Sequence, residues 1–73
     1  MTKRDFINLV YREKQSGGVR FNVVLVQNEG LLFWTNGHGE RCHHVLFKLR
    51  ANQEQGMLRH KVKKYRRWLT LSN

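Results

Sequence analysis

The stretch VRFNVVLVQNEGLLFWTNG, residues 19–37, decides the fold of this chain. Residues 19–27 are mostly apolar and β-branched, which predicts a strand, because such side chains suit a pleated, half-buried surface. Residues 28–30 end in a glycine, as three-residue hairpin loops often do, so residues 31–35 are expected to return as a second strand. Alternation places four side chains of the first strand on one face: Val19, Phe21, Val23 and Leu25.

A third strand is predicted roughly from Cys42 to Arg50. The dipeptide Asn36-Gly37 that precedes it is the strongest short hairpin signal in the chain. Alternation puts Val45, Phe47 and Leu49 on one face of this strand. A helix over residues 43–50 is the alternative, since a short apolar run fits either structure. Residues 51–56 are expected to form a polar connection.

Two helices are predicted to flank these strands. Thr2 is a suitable N-cap for a helix near Lys3 to Gln15, and Ser16-Gly17-Gly18 is expected to end it. Its predicted buried stripe consists of Phe6, Ile7, Leu9 and Val10. In the segment after Met57, helical spacing forms a second apolar stripe of Leu58, Val62, Tyr65 and Leu69.

The predicted fold is therefore α+β: a single domain over residues 1–73 with the order α-β-β-β-α. A three-stranded antiparallel meander with both helices packed on one face is expected, because a bare three-stranded sheet would leave its apolar face in water. No apolar run is long enough to span a bilayer or to serve as a signal peptide. The single Cys42 excludes an intrachain disulfide, so we expect a reducing, cytoplasmic location.

Positive charge is concentrated at one end of the chain. The formal net charge is +9, and no acidic residue follows Met57. The cations of this segment are Arg59, Lys61, Lys63, Lys64, Arg66 and Arg67. Concentrated positive charge attracts polyanions, and nucleic acid is the natural polyanion of a cytosol.

These features predict a small basic nucleic-acid-binding protein, with a regulatory role as one possibility. The C-terminal helix is expected to hide its apolar stripe and to grip the phosphate backbone of RNA or DNA with its cationic side. Lys3 and Arg4 are expected to extend this surface. Tyr65 and Trp68 have two interpretations: packing in the core or stacking on bases. Binding to a membrane surface is disfavoured, because so small a core needs the apolar stripe.

A second hypothesis is a small regulator of phage or plasmid type that binds an acidic host protein. Val24, Val26 and Trp34 are predicted to lie on the sheet face turned away from the helices. An exposed β-branched and aromatic patch of this kind marks a protein partner or self-association.

No metal or cofactor is expected. His38, Cys42, His43, His44 and His60 are metal-ligand types, but their spacing matches no common zinc module, and neighbouring strand residues point to opposite faces. His44, Asn52 and His60 have the residue types of a compact metal-dependent nuclease, but without the strand that such a site needs between the first two.

A third hypothesis is a metal-free ribonuclease of toxin type. The predicted element order is similar to that of double-stranded-RNA-binding domains and of small single-histidine toxin ribonucleases. The likeness is one of order and charge, because Asn36-Gly37-His38-Gly39 stands where the toxins have Gly-Ser-His. The resemblance implies RNA as ligand, with His44 or His38 as the residue to test. We nevertheless expect no enzymatic activity.

Overall fold

The computed structural model describes residues 1–50 and 55–72, in which two helices and three strands follow the predicted order. The helices are α1 (Lys3–Gln15) and α2 (Gln55–Leu71), and the strands are β1 (Val19–Val26), β2 (Glu29–Thr35) and β3 (Arg41–Lys48). The strands form one antiparallel sheet with β2 in the middle. Side chains of both helices join one hydrophobic core with one face of this sheet, which confirms the predicted α+β fold.

Helix α1 begins and ends as its sequence predicts. The Asp5 backbone N–H donates to Thr2 Oγ1 at 3.1 Å, which satisfies one of the unpaired N–H groups at the start of the helix. At the other end Ser16 caps the helix and Gly17 has a φ of +94°, a left-handed conformation that glycine adopts without strain. The helix buries Phe6 and Val10 completely, with Ile7 and Leu9 half-buried beside them. The predicted stripe is confirmed.

Helix α2 buries the predicted stripe but begins earlier than predicted. Leu58, Val62 and Tyr65 are buried, and Leu69 is half-buried. The helix starts at Gln55, so Gly56 lies in its first turn rather than in a connection. Residues 51–54 of the predicted connection, together with Asn52 of the weighed nuclease triad, lie outside the described residues. In the part of the chain that the structure describes, neither helix is long and apolar enough to cross a membrane.

The turn between β1 and β2 differs from the predicted three-residue loop. Gln27 and Asn28 have φ values of +47° and +65°, and Val26 pairs directly with Glu29. This is the left-handed, two-residue geometry that matches the twist of a hairpin. Gly30 belongs to β2 instead, where it pairs with Leu25 and Phe47. The position needs a glycine because a Cβ there would lie 2.1 Å from the ring of Phe47, which covers it from β3.

The predicted face of β3 is wrong because the strand contains an irregularity. Gly30 pairs with Phe47 and Leu31 with Val45, so Leu46 is an extra residue opposite β2. Leu46 and Phe47 both contact the core, whereas Val45 lies on the other face of the sheet. One inserted residue therefore separates Val45 from Phe47, which simple alternation had placed together.

The predicted position of Trp34 on the uncovered face is also wrong. Trp34 is 8% exposed and belongs to the core beneath the helices. Its indole Nε1 donates to Glu13 Oε2 of α1 at 3.2 Å, and its ring stacks against Phe21 with 6.1 Å between centroids. The two-residue turn pairs Val24 with Leu31 and Val23 with Leu32, so Leu32 and Trp34 face the helices, and Leu31 and Phe33 face away from them.

We call the sheet face opposite the helices the open face. Its centre consists of Val24, Leu31, Phe33 and Val45, with Val26 near one end. No described element packs on it.

The predicted Asn36-Gly37 hairpin is confirmed and has an ordered loop. Asn36 Oδ1 accepts hydrogen bonds from the backbone N–H groups of His38 and Glu40, both at 2.9 Å. Gly37 lies against the turn after α1: a Cβ on it would be 2.2 Å from the carbonyl oxygen of Ser16. The two turns therefore meet backbone to backbone, which requires a glycine at position 37.

Candidate nucleic-acid interface

The outward side of α2 is cationic along its length. The helix has 17 residues, which corresponds to about 25 Å. Five of its Lys and Arg side chains are exposed: Arg59, Lys63, Lys64, Arg66 and Arg67. Because α2 buries the stripe from Leu58 to Tyr65 against the sheet, these side chains project from the side or back of the helix.

Acidic side chains do not neutralise this face. α2 contains no Asp or Glu. Glu29 is instead paired with Lys48 on the sheet, at 3.7 Å. Within the described residues, the positive charge of α2 is therefore not compensated, and it can attract an anionic ligand.

Arg66 has a different role from its neighbours. Its guanidinium Nε donates to the backbone carbonyl of Val23 at 3.0 Å. Val23 lies on β1, an edge strand of the sheet, and edge strands have backbone groups that no neighbouring strand satisfies. Arg66 thus fastens α2 to the sheet edge, a contact that the sequence does not indicate for this predicted phosphate-binding residue.

Lys61 and Lys64 are held against aromatic rings. The Lys61 ammonium lies 5.4 Å from the centre of the Phe47 ring, and that of Lys64 lies 5.1 Å from the Trp68 ring and 5.5 Å from the Tyr65 ring. Cations at such distances are attracted by the π face. These contacts restrict where the two charges lie, which reduces the entropy that a bound ligand must remove.

A shallow depression of about 600 Å³ follows the same helix. Its described lining consists of Gly56, Met57, His60, Lys61, Lys63, Lys64 and Arg67. The sequence singled out the cations but not Met57 or His60 as part of this surface. The signal was present in the spacing, since positions 56, 60, 63 and 67 share one side of a helix.

The start of the chain contacts α2. The Tyr65 hydroxyl donates to the carbonyl oxygen of Met1 at 2.9 Å, and the Tyr65 ring packs edge-on against Phe6 at 5.3 Å. Lys3 and Arg4, both exposed, follow Met1 in the first turn of α1. Tyr65 is therefore a core residue, as the packing interpretation predicts, and it joins the two basic segments.

Burial of Tyr65 raises the pKa of its phenol above the ordinary value of 10.0. The folded chain therefore holds this proton more tightly than the unfolded chain does. The resulting contribution to stability is complete below pH 10.0 and is lost as the pH rises through the higher folded-state pKa.

We expect Tyr65→Phe to lower the free energy of unfolding by about 1 kcal/mol near neutral pH through the lost hydrogen bond. The same change should reduce the loss of stability between about pH 8 and about pH 10.5, because no phenol ionises at that site. Urea unfolding at both pH values measures each effect. The control is Tyr11→Phe, at a side chain that is 60% exposed. An alkaline loss that is equal in Tyr65→Phe and in the parent would contradict the assignment.

The histidines are dispersed over the fold. His43 lies on the open face beside Phe33, with 5.8 Å between ring centres. His44 faces the other way and lines a depression with Arg12 and Asp5 of α1. His38 is exposed in the hairpin loop, and His60 is exposed on α2. Among the described residues, no three His, Cys, Asp or Glu side chains are placed to hold a metal ion.

Comparison with family models, with curated proteins and with solved structures finds no match to this chain.

Proposed function

We propose that this protein binds nucleic acid, RNA or DNA, through phosphate contacts made by the cationic face of α2. The observation that carries the proposal is the row of exposed Arg59, Lys63, Lys64 and Arg67, which extends along a helix that contains no acid. Arginine pairs with two phosphate oxygens at once, and lysine acts as a point charge that tolerates a range of positions. Lys61 at the margin and Lys3 and Arg4 at the start of α1 extend the contact.

Sequence preference is expected to be weak. Adenine edges are read mainly by Asn and Gln, whose amides form paired hydrogen bonds with this base in a groove. From Gly56 to Leu71, α2 has no Asn or Gln, whereas its cations suit the backbone. Contacts to phosphates fix position along a strand but carry no sequence information. The proposed location is the cytosol, where the half-buried Cys42 remains a thiol.

Salt dependence tests this mechanism directly. If Arg59, Lys63, Lys64 and Arg67 each neutralise one phosphate, log K should fall with log salt with a slope of about −3.6 on duplex DNA. The affinity should then fall about 150-fold between 50 and 200 mM salt. Fluorescence anisotropy with a labelled duplex measures the slope, and duplexes of unrelated sequence serve as the control. A slope near zero, or no binding at low salt, would reject the proposal.

A further inference from the structure

The open face differs from the solvent face of an ordinary antiparallel sheet. Sheets with one face in water usually alternate apolar and polar residues along each strand. The middle of β2 is instead apolar on both sides: Leu32 and Trp34 face the helices, and Leu31 and Phe33 face away. A strand with this composition is typical of a sheet that is covered on both faces.

Cross-strand pairing makes these residues continuous. Leu31 pairs with Val24 on one side and with Val45 on the other, so three aliphatic side chains form a row across the sheet. Phe33 lies in the next row and packs on His43. Leu31 is only 9% exposed, whereas Phe33 and Val45 are each 37% exposed and Val26 is 43% exposed. Leu31 therefore forms the buried centre of this apolar patch, and exposed apolar side chains surround it.

Charge indicates what covers this patch. At one end of the open face Glu29 is paired with Lys48, and at the other end the charged side chain of β3 is Arg41. The two rows between them consist of Val24, Leu31 and Val45 and of Asn22, Phe33 and His43, so they contain no Asp, Glu, Lys or Arg, although the chain as a whole carries +9. An acidic partner would be attracted to α2 rather than to this face. The occupant that fits is another apolar, nearly neutral surface, and a second copy of the same face is one.

Electrostatic repulsion usually opposes self-association of a basic protein, but the position of the cationic helices makes this repulsion small. Packed sheets lie about 10 Å apart, and a helix layer adds about 10 Å on each side. Two copies in contact through the open face would hold their α2 helices about 30 Å apart, on opposite outer surfaces. That separation exceeds three Debye lengths at physiological salt, about 8 Å each, so repulsion between the helices is screened.

We propose that the open face is the interface of a two-fold symmetric homodimer formed by sheet-to-sheet packing. Three strands spaced about 4.8 Å apart, with about seven residues each at about 3.3 Å, provide roughly 300 Å² of flat sheet per copy. Because side chains project from the sheet, the accessible area buried by two copies together is larger, about 1,000 Å². This area is near the lower limit for specific protein association. For an interface of this small size we expect a dissociation constant in the micromolar range. The dimer does not depend on the proposed nucleic-acid binding.

The test is the mass of the nuclease-treated full chain across a concentration series, by sedimentation equilibrium or light scattering. The wild-type chain should change from 8.8 kDa towards twice that mass between about 1 and about 500 µM. The dimer should persist in about 1 M salt, because its contacts are apolar rather than ionic. A wild-type mass that stays at that of one chain over the whole range overturns the proposal.

Variants locate the interface. Phe33→Lys and, independently, Val45→Lys should each remain at the mass of one chain over the whole series, since each brings a charge into the contact. The matched control is Tyr11→Lys, on the exposed side of α1, which should dimerise as the wild type does. Circular dichroism identifies variants that keep the fold, and two positions are used so that one unfolded variant does not decide the result. A folded Phe33→Lys or Val45→Lys chain that dimerises normally would exclude the open face.

Discussion

Replacing Arg59, Lys63, Lys64 and Arg67 together by glutamine is expected to weaken binding to a short duplex by about 4,000-fold near 0.1 M salt. All four side chains are exposed on α2. Each cation that neutralises a phosphate releases condensed counterions, which contributes about 0.9 logarithmic units per contact at that salt. Glutamine keeps the length and the helix propensity of the side chains, so the fold should persist. Anisotropy titration and a thermal melt measure the two quantities.

A matched pair of double variants separates position from net charge. Lys63→Gln with Arg67→Gln removes two cations from α2, and Arg12→Gln with Arg41→Gln removes two exposed cations from α1 and β3. We expect the first pair to lose about 50-fold in affinity and to lower the salt slope by about two. The second pair should change affinity only a few-fold. Equal losses in both pairs would mean that overall charge, and not α2, determines binding.

Gly37→Ala is expected to destabilise the chain by about 3 kcal/mol, the largest effect on stability that we expect from a single added methyl group. The new Cβ would lie 2.2 Å from the Ser16 carbonyl oxygen. The Cβ is attached directly to the backbone and the oxygen belongs to the backbone of Ser16, so no side-chain rotation can relieve the clash. The turn after α1 and the β2–β3 loop would have to separate, which weakens the attachment of α1 to the sheet. For a domain of this size, the melting temperature should fall by roughly 12–24 °C.

Gly39→Ala in the same loop is the control. Gly39 also has a positive φ, +79°, but an added Cβ would have no atom within 4 Å. Its cost should be limited to the backbone preference, about 1 kcal/mol. Thermal and urea melts of the two variants separate close packing from backbone conformation. Equal destabilisation by the two variants would contradict the argument from packing.

The helices could be predicted because their signals are local. The apolar spacing from Leu58 to Tyr65 and the cap at Thr2 depend on residues within a few turns of one another. The strand faces could not be predicted reliably, because one extra residue reverses alternation. Leu46 is such an extra residue, and nothing in the local sequence of β3 indicates that it interrupts the alternation. Gly30 was read as a turn residue because its reason for being glycine, the ring of Phe47, comes from another strand.

In the candidate site, too, local features could be predicted from the sequence and contacts between distant elements could not. The sequence alone indicates a helix with one cationic side, since charge and spacing are both local. It did not indicate that Arg66 bonds to the Val23 carbonyl or that Lys61 lies over Phe47. These contacts join α2 to β1 and β3, and they depend on a register that forms only when the sheet packs.

The separation of α2 and the open face by one sheet also determines how the molecule sits on a charged solid. On a cation-exchange bead or a mica surface the chain should adsorb with α2 against the solid, and the exposed Phe33 and Val45 would then face the liquid. A layer prepared in this way has an apolar outer surface. Such a coating should become water-repellent as it fills, and further protein should deposit on it as a second layer.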